Sequence, residues 1–358
     1  MWIRGRGDGN LQTGVCPAGE NHATTFCSRR CRMSAGSPYS QRISRGELAG
    51  SYQAFPDACR LKNGDILCVF YAGYGHVSLP NREYPRGGRI CFVISSDEGR
   101  TWSQPQVLYD GPDDDRDPHI TQLHDETLIC SFFTYRATDR GVEFDTKVVF
   151  SRDGGRSWGR RALMVAKGYA VSAPVREIAP ERCLLGVYTE GGERTFAAVT
   201  GSGDGLHWSE PIPLSAGCPT LPDGSETDII RLKDGVLMAV IRSDKVNMHF
   251  CLSRDEGKTW TPPQDIGFRG HAPHLMRLGT GEILLTHRLP NTALHISRDE
   301  GRSWEGPFVL DEVIGAYPST VELKDGSVLV VYYEEGEGSA IRAMRFRVRK
   351  NGIQKLRW

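Results

Sequence analysis

Ser253-Arg254-Asp255-Glu256-Gly257-Lys258-Thr259-Trp260 is the stretch whose reading decides the fold, because it recurs. Ser95-Ser96-Asp97-Glu98-Gly99-Arg100-Thr101-Trp102, Ser151-Arg152-Asp153-Gly154-Gly155-Arg156-Ser157-Trp158 and Ser297-Arg298-Asp299-Glu300-Gly301-Arg302-Ser303-Trp304 follow the same rule, S-x-D-x-G-x-[ST]-W. A worn copy ends at Trp208, with Gly203 at the Asp position when it is counted back from the Trp. Successive Trp residues lie 56, 50, 52 and 44 positions apart. A period of this size with a turn inside each unit means an array of β-units. The Ser and Asp side chains suit capture of backbone N–H groups in a tight turn, and the Gly supplies a positive φ. A calcium loop needs more oxygen ligands at alternate positions than the single acidic position held in every good copy. The box therefore reads as a structural turn, with no metal assigned to it.

Outward from the box, each unit has the same grammar. A short Pro-containing opening leads to a strand, then to a Gly turn, then to an apolar strand. Leu61-Lys62-Asn63-Gly64-Asp65, Leu232-Lys233-Asp234-Gly235 and Leu323-Lys324-Asp325-Gly326-Ser327 carry the hairpin signals. A third strand enters the box and a fourth leaves it. Six such units from about residue 51 predict an all-β chain, a six-bladed β-propeller of four-stranded antiparallel blades over residues 39–358. The sixth unit has no box, so residues 39–47 are expected to supply its last strand and close the ring. Residues 1–38 are Gly-, Arg- and Ser-rich without apolar period, and read as disordered or extraneous to the folded unit. They hold no apolar h-region of a secretory signal. A cytoplasmic location is the default expectation, and secretion the alternative if the N-terminus is misassigned.

Composition narrows the function classes. The 358 residues carry 44 Lys plus Arg and 44 Asp plus Glu, a formal charge of zero, so no nucleic-acid partner is expected. The longest apolar runs, 66–72 and 328–333, are strand-length, and no membrane span is expected. Of ten cysteines, Cys68, Cys91, Cys130 and Cys251 lie in strand-like runs and read as buried thiols. Cys16, Cys27 and Cys31 lack a paired zinc spacing. No cofactor is expected, and the oligomeric state is open.

The chemistry is expected at the unit openings, which crowd the axis of a propeller. They are Phe55-Pro56-Asp57, Arg116-Asp117-Pro118-His119, Ser172-Ala173-Pro174, Glu226-Thr227-Asp228, His271-Ala272-Pro273-His274 and Tyr317-Pro318-Ser319. Arg136, Arg242 and Arg288 end second strands. Guanidinium groups suit bidentate capture of a carboxylate. A Tyr beside a carboxylate suits covalent attack on a centre that already carries negative charge.

With these residues in place the sequence resembles the sialidase (neuraminidase) superfamily with Asp-box, or BNR, repeats, over about residues 51–348. The resemblance implies release of terminal sialic acids with retention, by a Tyr nucleophile assisted by Glu, an Asp acid/base and three Arg around the substrate carboxylate. The run from Gly224 to Asp228, with Arg242 closing the next strand, matches the family's fourth blade and implies Glu226 and Arg242. The run from Ala316 to Ser319, followed by the strand ending in Glu334, matches the sixth and implies Tyr317 as nucleophile and Glu334 as supporting acid. Arg288 is the second Arg by the same resemblance. The first blade departs: Ala54 stands where the family has Arg, and Arg116 is the substitute. No Asp lies between Tyr71 and Pro80, which leaves His76, with Asp57 and Asp117 as alternative acids. Asp57, Asp228 and His274 complete the expected substrate-binding set. Three readings stay open: a sialidase-like hydrolase of an acidic glycan, a uronate lyase with His76 and Tyr317 as its proton-transfer pair, and a carbohydrate-binding propeller without chemistry.

Overall fold

The computed structural model describes residues 37–44, 49–139, 141–190, 195–312, 315–335 and 339–358. The expectation for residues 1–38 lies almost wholly outside them, as do Cys16, Cys27 and Cys31. The described chain is all-β, six antiparallel sheets arranged as the six blades of a propeller. Innermost strands are Tyr52–Arg60, Asp114–Gln122, Gly224–Arg231, His271–Arg277 and Gly315–Glu322, in blades one, two, four, five and six. In blade three this strand is broken into Ala170–Val171 and Arg176–Ala179, which pair separately with Arg182–Tyr188. Between them lies Ser172-Ala173-Pro174, where the Pro has no N–H to give to a ladder.

Apolar periodicity places the core between blades. The second strands are buried on both faces; all eight residues of Ile66–Gly73 are buried. Six clusters result, each filling the wedge between neighbouring blades: Ile66, Val93, Leu329 and Val331 between blades one and six, for instance, and Leu184, Val199, Leu237 and Ala239 between three and four.

The repeated turn bolts these wedges together. In the copy ending at Trp260, the Gly257 N–H donates to Ser253 Oγ (2.9 Å), the Thr259 N–H to Asp255 Oδ1 (2.9 Å), and the Trp260 Nε1–H to the Gly257 carbonyl (3.1 Å). Asp255 Oδ2 accepts from the Thr259 hydroxyl at 2.6 Å. Gly257 has φ 84°, and a Cβ there would lie 2.8 Å from Leu184 of the preceding blade. Gly99, Gly155 and Gly301 meet Leu329, Leu67 and Met238 of their preceding blades in the same way. In the worn copy the Asp is not lost. A one-residue deletion after it brings Asp204 into the role, accepting from the Ser202 hydroxyl (3.2 Å) and the His207 N–H (2.8 Å). Counting back from Trp208 hides this shift.

The ring closes through both ends of the described chain. Ser40–Ser44 pairs with residues 341–344 of the third strand of blade six, and Gly352–Leu356 pairs with residues 345–349 of the same strand. Two short strands thus share the outer position that one strand fills elsewhere. Gln41 Nε2 also donates to the Gly99 carbonyl of blade one at 2.6 Å.

One local feature aims the openings. Phe55, Asp117, Ala272 and Tyr317 each precede a Pro and adopt positive φ, between 48° and 53°. Non-Gly residues rarely do so, and a following Pro makes helical backbone harder still. Register shifts accompany all four, between Ala54 and Asp57, Arg116 and His119, His271 and His274, and Ala316 and Ser319. Each inner strand therefore bulges near its start, at one mouth of the propeller.

Candidate active site

At that mouth the bulges and the ends of the second strands enclose a cavity of about 440 Å³. It is lined by Tyr317, Glu226, Asp117, Arg116, Arg242, Arg288 and His76, contributed by four blades and the loop after the second strand of blade one. The geometry centres on Glu226, which is 2% exposed. Its Oε1 accepts the Tyr317 hydroxyl and Arg242 Nη1–H (2.6 Å), and its Oε2 accepts the Ala272 N–H (2.7 Å). Burial raises the pKa of this carboxyl, but the Arg242 charge, with these hydrogen bonds, outweighs it and holds the pKa below the ordinary value. Tyr317 moves the other way. Burial, with Glu226 and Asp117 nearby, pushes the phenol well above its usual range, so Tyr317 is a neutral phenol hydrogen-bonded to an ionised base.

Arg242 also donates through Nε to Asp244 Oδ1 at 2.8 Å. Asp244 in turn lies 3.3 Å from His271 Nε2, and Arg288 Nη2 is 3.3 Å from His271 Nδ1. Arg116 is held differently. Only 5% exposed, its guanidinium carbon stands 5.4–5.7 Å from the ring centroids of Phe55, Tyr71, Phe133 and Tyr135. Such a cage favours a cation, and Arg116 forms no ion pair with a described carboxylate. Its buried Nε has no hydrogen-bond partner.

Two acids line the same space with raised pKa values. Burial pushes Asp117 up to about 7, against the pull of Arg116 and the Ser172 hydroxyl, which donates to its Oδ2 at 2.9 Å. Burial also raises Glu190. His76 has its imidazole pKa lowered by burial and by Arg116, and its Nδ1 lies 3.1 Å from the Tyr52 hydroxyl.

Five residues singled out in the sequence lie elsewhere. Asp57 and His274 line a separate cavity formed by the far ends of the inner strands, hence at the opposite mouth. Asp57 Oδ2 accepts the Ile120 N–H of blade two at 2.8 Å, and Asp228 Oδ2 accepts the Leu275 N–H of blade five at 2.6 Å. These two carboxylates tie inner strands to each other, and Asp228 also receives Arg176 Nε–H at 2.8 Å. Glu334 pairs with Arg342 (2.7 Å) and Arg42 (3.4 Å), away from the cavity. Arg136 pairs with Asp113 and Glu143, while its neighbour Tyr135 lines the site. Tyr188, Glu190 and Asp244 were not anticipated. Their signal is positional: Tyr188 ends a second strand and the other two follow one closely, where Arg242 and Arg288 drew notice by charge. Among the described residues no cluster of His, Cys, Asp or Glu has metal-binding geometry.

The profile of the family described as a BNR repeat-like domain matches residues 89–330. The chain belongs to that family. No curated protein matches this BNR-repeat chain significantly in sequence. Among solved structures it is similar to a Dyadobacter fermentans protein of unknown function, with 22% identity over 87% of this chain and 98% of that one and a TM-score of 0.74. It is also similar to an α-L-arabinanase of Penicillium chrysogenum complexed with arabinobiose (14% identity, 87% and 99% covered, TM-score 0.66). An intramolecular trans-sialidase of Ruminococcus gnavus gives 13% identity, 87% and 98% covered, and a TM-score of 0.66. At these identities the likeness shows that the BNR-repeat chain shares their fold.

Proposed function

We propose that the chain is a retaining glycoside hydrolase that releases a terminal acidic sugar from a glycan, in the manner of an exo-α-sialidase. The observation that carries the reading is the Tyr317–Glu226–Arg242 chain of hydrogen bonds in a cavity that also holds Arg116 and Arg288. That an α-L-arabinanase and an intramolecular trans-sialidase, both enzymes acting on glycans, are built on the same fold supports it.

The chemistry follows from the charges. Arg116, Arg288 and the remaining Nη2 of Arg242 take the carboxylate of the sugar. A carboxylate beside the anomeric carbon repels an anionic nucleophile, whereas a neutral phenol approaches without that penalty. Tyr317 Oη attacks the anomeric carbon as its proton passes to Glu226. Asp117, which holds a proton near neutral pH, gives it to the departing glycosidic oxygen, and the bond from the anomeric carbon to that oxygen breaks. Water then attacks the same carbon from the face the leaving group vacated, giving its proton to Asp117. Glu226 returns its proton to Tyr317 as the tyrosyl bond breaks, and the configuration is retained. In this reading His76, with its pKa lowered below the ordinary imidazole value, is a neutral substrate contact beside Tyr52.

A panel of 4-methylumbelliferyl glycosides, namely an α-sialoside, a glucuronide and an α-L-arabinofuranoside, tests this. Turnover of an acidic member that falls at least about 10³-fold in Tyr317→Phe supports the reading. Cleavage of the arabinofuranoside alone would overturn the acidic substrate. A new C=C absorbance from a uronate-containing glycan would instead identify a lyase. Tight binding of an acidic glycan without turnover of any member would leave a lectin-like propeller.

A further inference from the structure

Beside the cavity just described lies a second one of about 560 Å³. Its walls come from residues 195–196, at the entrance to the third strand of blade three, and from 215–223, the connection to blade four. Thr195 and Asp223 line both cavities, so the two adjoin. Their chemistry differs sharply. The first is lined by charged groups. The second is walled mainly by Phe196, Ala216, Pro219, Leu221 and Pro222, with Cys218 beside them.

The wall is a built one. Leu214 and Leu221 are buried in the wedge between blades three and four. The Ala197 N–H donates to Ser215 Oγ at 2.9 Å, the Cys218 N–H to the Ser215 carbonyl at 3.0 Å, and the Leu221 N–H to the Cys218 carbonyl at 3.3 Å. At the exit, a Cβ on Gly224 would lie 2.5 Å from Ser215 Oγ, so only Gly lets the connection pass this close. A shaped apolar recess opening from a charged one suits a ligand with two unlike parts, an anionic sugar and a less polar group joined to it.

Resting on the glycoside-hydrolase reading, we propose that this cavity is the leaving-group subsite of the same site, which takes the sugar or aglycone beyond the scissile bond with its apolar face against Phe196 and Pro219. The occupant is a ring with one apolar face: the C–H face of a pyranose, for which an aryl group is the probe. Cys218 reports on occupancy. Burial raises its thiol pKa, but the Thr220 hydroxyl at 3.2 Å and backbone N–H groups outweigh this and lower it. The other described cysteines have thiols raised by burial. Cys218 is therefore the described thiol most ready to react.

The test reads binding and turnover separately. Full-length Tyr317→Phe is treated with iodoacetamide, and alkylation of the Cys218 peptide is followed by mass spectrometry. Each 4-methylumbelliferyl glycoside of the panel is compared with its free sugar. At least one aryl glycoside should slow Cys218 alkylation fivefold or more while its free sugar changes it less than twofold. No protection by any aryl glycoside overturns the subsite, whether or not the panel is turned over. In the otherwise unaltered chain, Ala216→Trp places an indole in the recess from an exposed position. The KM for the aryl glycoside divided by that for the glycosyl fluoride of the same sugar should rise at least tenfold. An unchanged ratio with both substrates turned over puts the leaving group elsewhere and leaves the Tyr317 chemistry standing. Aryl-dependent protection of Cys218 with no glycoside hydrolysed would keep the recess as a binding subsite and remove the hydrolase reading.

Discussion

Asp117 carries the pH dependence at the scale of single residues. Its carboxyl is pushed up to about 7 by burial, against roughly 4 for an unperturbed Asp. The folded chain therefore keeps a proton there between about pH 4 and 7 that the unfolded chain releases, and the stability this group contributes falls as pH rises through that window. Its acid form is the one assigned to protonate the leaving group, so kcat/KM should decline above about pH 7. Asp117→Asn is expected to lower kcat/KM about 10²- to 10⁴-fold and to abolish that alkaline limb. Glu190→Gln, which removes the other raised carboxyl of the cavity, should keep the limb. A pH–rate profile of the three proteins decides it; a limb surviving in Asp117→Asn assigns the proton to another group. At this scale Tyr317, Glu226, Arg242, Arg288 and Arg116 were legible because each opens a unit or ends a second strand, and His76 because the family resemblance points to its loop. Asp57 and His274 were legible as axial but not as belonging to the other mouth. Asp57 lies only two positions after Phe55, yet the bulge between them turns the chain, and no residue type announces that bend except the Pro that follows.

At the scale of the element, the box turn is a joint between blades rather than an ornament of one. Its Gly needs both a left-handed backbone and the absence of a Cβ, since the previous blade's Leu or Met occupies that space. Box glutamates reinforce the joint: Glu98 accepts the Lys324 N–H of blade six at 3.0 Å, and Glu300 accepts the Lys233 N–H of blade four at 2.9 Å. Gly257→Ala should therefore cost about 1–3 kcal/mol, read as a lower urea midpoint at an unchanged m-value. A midpoint within error of the parent would mean that Leu184 yields and the turn tolerates the strain. Turn, strand and period were readable because each is a local rule of chemistry. The direction of packing was not, because it depends on which blade the turn leans against. The deletion in the worn copy shows the same limit: a rule counted from its Trp misassigns Asp204.

At the largest scale the propeller formed by the described residues is a ring, and its stability depends on closing it. The expectation that residues near 39–47 complete blade six matches the pairing of Ser40–Ser44, since a unit without a box leaves an open edge that another strand must cover. The second contributor, Gly352–Leu356, was not anticipated. A chain lacking residues 1–44 should melt at least about 3 °C below one lacking only 1–36, by differential scanning calorimetry at equal concentration. Equal melting temperatures would show that the Gly352–Leu356 hairpin suffices.

Ring closure also brings Tyr317 of the last blade beside Phe55 of the first, with ring centroids 4.9 Å apart, and its hydroxyl donates to Glu226 Oε1 of blade four. That convergence is the basis for assigning Tyr317 as the nucleophile. The most direct test uses the acidic sugar that is turned over, made as a glycosyl fluoride with a second fluorine next to the anomeric carbon, which slows breakdown of the adduct. Intact-mass and peptide analysis should show one fluorosugar bound covalently to Tyr317, and none in Tyr317→Phe. A label on another residue, or complete turnover to product of inverted configuration with no label, would contradict the account.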